Sequence, residues 1–206
     1  QVAQAIWGRP VAEDALILGI SGRYEFKNKG IDVFIDAMGQ LNRNNGLGKE
    51  VLAFILVPAG HAGANKELLH NLELPYQAVT STDLYLTHYL NDSANDPVMN
   101  RIRAQKLRNS EEDKVKIFFV PSYLNGDDGV FNMPYYDLLV GMDLTAFPSY
   151  YEPWGYTPLE SLAFKVPTIT TTLAGFGLWV KEHYNMNHPG IEVIHREDGD
   201  ASNVAT

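Results

Sequence analysis

Short unbroken apolar runs recur along this chain, and they constrain its fold more than any other feature. Ala15–Ile20, Val51–Val57 and Val115–Val120 are each bounded by turn residues. A strand that is apolar on both sides must be covered on both faces, which is the position of a strand inside a parallel sheet. Leu144–Phe147, Pro167–Thr170 and Glu192–His195 add three more strand candidates. Between them lie helical patterns. After Gly30, the residues Ile31, Phe34, Ile35, Met38 and Leu41 recur at helical spacing, and Asn44-Asn45-Gly46 supplies a stop. Asn65–Leu74, Pro97–Leu107 and Tyr135–Val140 read as further helices, and Thr157 opens another. The Pro97–Leu107 helix puts Arg101, Arg103 and Lys106, with Arg108 just beyond, on a solvated polar face. Strands alternating with helices predict an α/β fold: a doubly wound, Rossmann-like parallel sheet whose ligands bind outside the carboxyl ends of the strands.

Composition narrows the chemistry. With 206 residues and 45% hydrophobic content the chain can bury a proper core, and no linker or repeat divides it. It has no Cys, which excludes a disulfide framework, a thiolate metal site and a thiol nucleophile, and suits a reducing compartment. A formal net charge of -9 argues against a broad grip on nucleic acid or anionic lipid, so a phosphate ligand has to be held by a local pocket. His61, His70, His88, His183, His188 and His195 are scattered without ligand spacing, so no metal is expected, and there is no G-x-S-x-G nucleophile elbow. No apolar run approaches a membrane span, and Gln1-Val2-Ala3-Gln4-Ala5 lacks the basic-then-apolar order of an export signal. The expectation is a soluble, unexported chain. It opens without Met and stops in the polar stretch at Ala205-Thr206, which reads as a piece of a longer protein.

The most informative corner is Phe147 to Glu160. Thr157, with Pro158 next and Glu160 three residues on, has the spacing of a capping box with proline at the first helical position. The first amides of such a helix have no intrahelical partner and carry the positive end of its dipole. An anion placed against Gly155, Tyr156 and Thr157 would therefore be stabilised, and Gly155 allows close approach to the backbone. Glu152 and Glu160 bracket the corner eight positions apart, too far for one helix face. Simpler roles compete for each residue. Glu160 could be only a cap, Glu152 a solvated loop side chain, and at least two of Trp154, Tyr150, Tyr151 and Tyr156 should be packing residues.

A second loop, Ser21 to Gly30, follows a strand and precedes a helix, and it holds Arg23, Lys27 and Lys29 between two glycines. Arg can fork onto two phosphate oxygens while Lys adds a point charge, so such a loop can neutralise a diphosphate without a metal. A solvated turn is the plainer alternative.

PSYYEPWGYTPLE followed by VPTITTTLAGFG resembles the donor-site signature of the eukaryotic-type glycogen synthases, retaining glycosyltransferases with two Rossmann domains (the GT-B fold). The resemblance runs from about Leu18 to Gly177. It implies that this chain is one half of such a fold, a single C-terminal nucleotide-sugar-binding domain over 1–206 without its N-terminal acceptor domain. The family's E-x7-E motif falls on Glu152 and Glu160, implying that Glu152 holds the glucosyl unit and Glu160 the ribose hydroxyls. Arg23 and Lys29 of SGRYEFKNKG fall on the two phosphate-contacting cations, and Tyr123 and Tyr135 on aromatics that sandwich the base. Trp154, Gly155, Tyr156 and Thr157 complete the implied donor contacts. Two departures are visible. Val120-Pro121-Ser122-Tyr123 stands where the family carries His-Pro-Glu-Phe, and the stretch from Pro58 to Thr80 is shorter. The chain also stops before the family's arginine-rich regulatory helix, so allostery is not expected from it.

The implied activity of the parent protein is transfer of glucose from a nucleotide diphosphate glucose, UDP-glucose favoured, to the non-reducing end of glycogen or another α-1,4-glucan with retention. It needs no cofactor or metal, is cytoplasmic, has no nucleic-acid or membrane partner, and is compatible with a homo-oligomer. Three alternatives stay open from the residues alone: a GT-B transferase with another acceptor, a non-catalytic nucleotide-binding module, and a glycoside hydrolase using Glu152 and Glu160 as its acid pair.

Overall fold

A computed structural model describes residues 1–44, 46–74, 81–184 and 189–197. Asn45 of the expected helix stop, His188 and the terminal Ala205-Thr206 lie outside the described residues. In chain order the elements are α1 (Val2–Trp7), β1 (Leu16–Ser21), α2 (Ile31–Arg43), β2 (Val51–Leu56), β3 (His61–Ala64), α3 (Lys66–Glu73), β4 (His88–Leu90), α4 (Pro97–Ala104), β5 (Val115–Val120), α5 (Tyr135–Leu139), β6 (Leu144–Ala146), α6 (Tyr156–Ala163), β7 (Thr168–Thr171), α7 (Gly175–His183) and β8 (Ile191–Ile194).

All six expected strands form, and they make one sheet in the order β5-β2-β1-β6-β7-β8 with every pairing parallel. The chain winds outward from β1 to one edge, returns to the centre at β6, and winds outward to the other edge. This is the doubly wound Rossmann order. Period-two alternation sorts the long strands' side chains onto two covered faces. Ala53, Ile55, Ile117 and Phe119 pack with Ile31, Phe34 and Ile35 of α2 and Val98, Met99 and Ile102 of α4. Leu52 and Phe118 pack on the opposite side with Ala3, Ala5 and Ile6 of α1 and Leu68 of α3. Covered faces on both sides are why these runs contain so little polarity.

The helix starts follow local chemistry. Asn65 caps α3 by accepting from the amides of Glu67 and Leu68, and Asp96 caps α4 by accepting from Met99, with Pro97 at the first helical position. α4 stops at Ala104 rather than Leu107, and Lys106 takes a left-handed conformation. Its basic face is not simply solvated: Arg101 forks onto both carboxylate oxygens of Asp36 on α2.

Two expectations change at α6. The helix begins at Tyr156, not after Thr157, and its N-cap is Gly155 at φ 96°, with no side-chain cap. Thr157 already lies within the first turn, so it cannot cap, and the Glu160 carboxylate binds Tyr136 instead. The capping box does not form. Four elements went unread in the sequence: α1, β3 and β4, which pair antiparallel, and α7. The last contains two glycines, Gly175 and Gly177, which are poor helix formers and stand where α7 runs hard against backbone. A Cβ on Gly175 would collide with the Pro153 carbonyl, and one on Gly177 with that of Thr171. Among the described residues no helix is long and apolar enough to cross a membrane.

Candidate functional site

The sheet reverses its winding between β1 and β6, which are paired neighbours. The loops leaving their carboxyl ends, Gly22 to Gly30 and Phe147 to Gly155, therefore part in opposite directions and leave the crevice where open α/β sheets bind ligands. Both loops are held by backbone. Lys29 N–H donates to Glu25 C=O and Gly30 N–H to Lys27 C=O, while Tyr150 N–H donates to Asn28 C=O across the gap at 2.9 Å. Gly30, at φ 68°, is pressed so closely on the Pro148 carbonyl that a Cβ would collide with it. A third loop, between β7 and α7, fastens the other side. Glu152 donates its N–H to Leu173 and accepts from Gly175 N–H at 3.0 Å, and Phe176 N–H bonds Trp154 C=O at 2.6 Å.

These restraints bring Lys29 and Glu152 together across 123 residues of sequence, the ammonium donating to Glu152 Oε2. Both side chains are mostly shielded, at 16% and 21% exposure. Arg23 stands apart. It is 79% exposed and pairs with Glu25 at 3.1 Å instead of joining the Lys29–Glu152 pair. Gly155, buried, turns the chain into α6 and leaves the first amides of that helix without a side-chain partner, beside Tyr156 and Thr157.

Glu160 lies one turn further along α6. Its Oε1 accepts from Tyr136 Oη at 3.0 Å, and the Tyr136 ring stacks on Phe164 with centroids 5.0 Å apart. The bond to Glu160 pushes the Tyr136 phenol pKa up. Next to it, Tyr135 is partly buried with its hydroxyl 2.7 Å from Ser21 Oγ at the end of β1, and burial is the main reason its pKa is pushed up to about 12. Tyr123 follows β5, is 75% exposed, and stacks on none of the described aromatic residues. Trp154 packs against Phe176 and Trp179 at 5.7 and 6.3 Å. The Tyr150 ring lies under the Arg196 guanidinium at 3.6 Å, while Tyr151 and Tyr156 are exposed.

The glycogen synthase family model matches residues 11–82 and 78–204 of this chain. The chain belongs to the glycogen synthase family. Glycogen [starch] synthase isoform 2 of Saccharomyces cerevisiae is 32% identical over 247 residues, covering 89% of this chain and 35% of the relative. The liver glycogen [starch] synthase of Rattus norvegicus is 31% identical over 221 residues, covering 83% and 31%. The chain thus spans about a third of the length of the curated relatives it matches. Among solved structures, the Candida albicans trehalose-6-phosphate phosphatase N-terminal domain superposes with a TM-score of 0.55 at 13% identity over 94% of this chain and 33% of that one. A UDP-forming α,α-trehalose-phosphate synthase from Burkholderia xenovorans gives 0.55 at 12% identity, over 94% and 35%. At such identities these likenesses establish the fold alone.

Within a glycogen synthase family chain, the geometry joins some of the sequence-derived residues and separates others. Lys29 meets Glu152 directly and Tyr135 adjoins Tyr136, the partner of Glu160, whereas Arg23 pairs with Glu25 and Tyr123 is exposed. Both carboxylates have partners of opposite character, an ammonium for Glu152 and a phenol for Glu160, which is unlike an acid pair facing one sugar. Among the described residues no three His, Asp or Glu side chains gather as a metal site. Two participants went unread. Tyr136 was legible only as the neighbour of Tyr135. Arg196 carried no motif; its one signal was a cation just past a strand's carboxyl end. It is 2% exposed and donates from Nη1 to the Pro148 carbonyl at 2.6 Å.

Proposed function

We propose that the protein carrying this chain is a glycogen synthase: it transfers glucose from a nucleotide diphosphate glucose, UDP-glucose in preference to ADP-glucose, to the non-reducing end of an α-1,4-glucan with retention. This chain is its donor-binding domain, one half of a GT-B pair, and an N-terminal domain supplies the acceptor site. The observation that carries the reading is the shielded Lys29–Glu152 pair at the switch point, beside a helix start whose amides lack a side-chain cap.

In this reading the empty site holds Lys29 neutralised by Glu152. The donor's diphosphate draws the ammonium away, leaving Glu152 to accept from glucosyl hydroxyls. As the diphosphate departs, its growing charge is met by Lys29, by Arg23 swinging in from solvent, and by the amides around Gly155, Tyr156 and Thr157. These fixed and mobile positive groups do the work a metal does in other transferases. Tyr123 and Tyr135 hold the base and Glu160 the ribose, while Trp154 acts indirectly by buttressing the Glu152 loop from behind. Closure of the two domains completes the site. The protein acts in the cytoplasm, and homo-oligomerisation is compatible with this site.

Calorimetric titration of UDP into the protein tests this. Binding should persist when a chelator is added, and Lys29→Ala or Arg23→Ala should each weaken it by about 1.5 to 3 kcal/mol, the range for hydrogen bonds to charged groups, while uridine binding is unmoved. Loss of binding with chelator, or equal loss of UDP and uridine, overturns the reading. Turnover on maltooligosaccharides separates a transferase from a binding module.

A further inference from the structure

Tyr136 is an aromatic held at both its ring and its hydroxyl, although it is 43% exposed. The ring lies nearly parallel to Phe164, at 15°, and Phe164 is the C-cap residue of α6, four residues after Glu160, with its N–H bonded to the Glu160 carbonyl. The stack therefore sets the phenol flat against the helix and delivers Oη to Glu160 Oε1 at 3.0 Å. Among the described residues no other hydrogen bond is made by the Glu160 carboxylate, and each carboxylate oxygen has lone pairs to spare. On the other side the Tyr135 ring lies 5.4 Å away, anchored through its own hydroxyl to Ser21 at the end of β1. Ser21, Tyr135, Tyr136 and Glu160 thus form one row from the central strand to α6, joined by a hydrogen bond at each end and a ring contact in the middle.

We infer that Tyr136 is a positioning and specificity residue of the nucleotide site, holding Glu160 so that its carboxylate is ready for the cis-diol of a ribose. The inference rests on the reading of Glu160 as the ribose acceptor. A long, flexible carboxylate has to be ordered when a ligand arrives, and that ordering weakens binding. A carboxylate already tied at Oε1 meets the diol with Oε2 in place and little left to lose. A ribonucleotide gains from this arrangement and a sugar without hydroxyls does not, so Tyr136 acts on the choice of pentose.

Tyr136→Phe tests this cleanly, because it removes the hydroxyl and keeps the stack on Phe164. UDP and 2′,3′-dideoxy-UDP are titrated into the parent protein, Tyr136→Phe and Glu160→Gln, and the melting temperature of each is recorded. The inference expects Tyr136→Phe to bind UDP three- to tenfold more weakly, to bind the dideoxy analogue within twofold of the parent, and to melt at the parent's temperature. Unchanged UDP affinity, or equal weakening of both ligands, overturns it. Glu160→Gln separates the two claims. If it weakens UDP and spares the analogue while Tyr136→Phe does nothing, the ribose reading stands and the role of Tyr136 falls. If Glu160→Gln leaves UDP binding unchanged, the ribose reading fails and the inference falls with it.

Discussion

The two halves of the sheet are built on different principles. In the half containing β5, β2 and β1 the strands are six residues long, and β5 is buried along its whole length. Helices cover both faces, and what fixes the strands is apolar area. In the half containing β6 and β7 the strands are three and four residues long, and their buried side chains are largely hydroxyls. Thr145 Oγ1 lies 2.9 Å from both Ser161 Oγ and Thr168 Oγ1, Ser161 Oγ donates to the Thr157 carbonyl at 3.0 Å, and Thr171 Oγ1 donates to that of Ser149. Apolar burial is strong but has no direction, whereas a hydrogen bond fixes an angle and a distance. The half without the Glu152 loop supplies stability; the half with it supplies aim. Thr157 and Ser149, both on the corner that holds the carboxylates, are reached by this hydroxyl network.

That division can be broken by substitution. Phe119→Ala, in the apolar half, should cost about 3 to 5 kcal/mol in urea unfolding and leave UDP affinity per folded molecule unchanged. If affinity fell as well, the halves would not be separable. Gly30→Ala strikes the seam between them. It forces a side chain into a left-handed backbone position and against Pro148, so about 2 kcal/mol of stability should go, and UDP binding with it, because Lys29 and Glu152 are no longer held in reach. Retained binding would show that the loops do not depend on that contact. Thr145→Val keeps the shape and deletes the hydroxyl, leaving Ser161 and Thr168 short of a partner. A loss of about 1 kcal/mol is expected, with a measurable fall in UDP affinity that Phe119→Ala does not produce.

The same division decides how much could be read from sequence. Ile55, Phe118 and their neighbours announce strands because a two-sided core leaves a continuous apolar run, and the parallel sheet followed from those runs alone. Lys29 and Glu152 were individually legible through the family signature, but their pairing was not, since it depends on Gly30 and Pro148 bringing two distant loops into contact. The capping box failed for a related reason. Local spacing fitted Thr157 and Glu160, but Gly155 supplied the cap position through its backbone, and Tyr136, 24 residues earlier, took the carboxylate. Arg101 was read as solvated because Asp36, its partner, is 65 residues away on another helix. Directional contacts between remote loops leave no periodic trace.

Arg196 carries a consequence for synthesis. Its N–H donates to Thr172 Oγ1 while its guanidinium reaches back over Tyr150 to the Pro148 carbonyl, 48 residues upstream. A ribosome delivers the chain from its N-terminus, and domains fold as they emerge. Every strand and helix of the apolar half precedes Arg196 in the chain. Of the described contacts that hold the Phe147 to Gly155 loop, the one from Arg196 is therefore the last that the growing chain can supply.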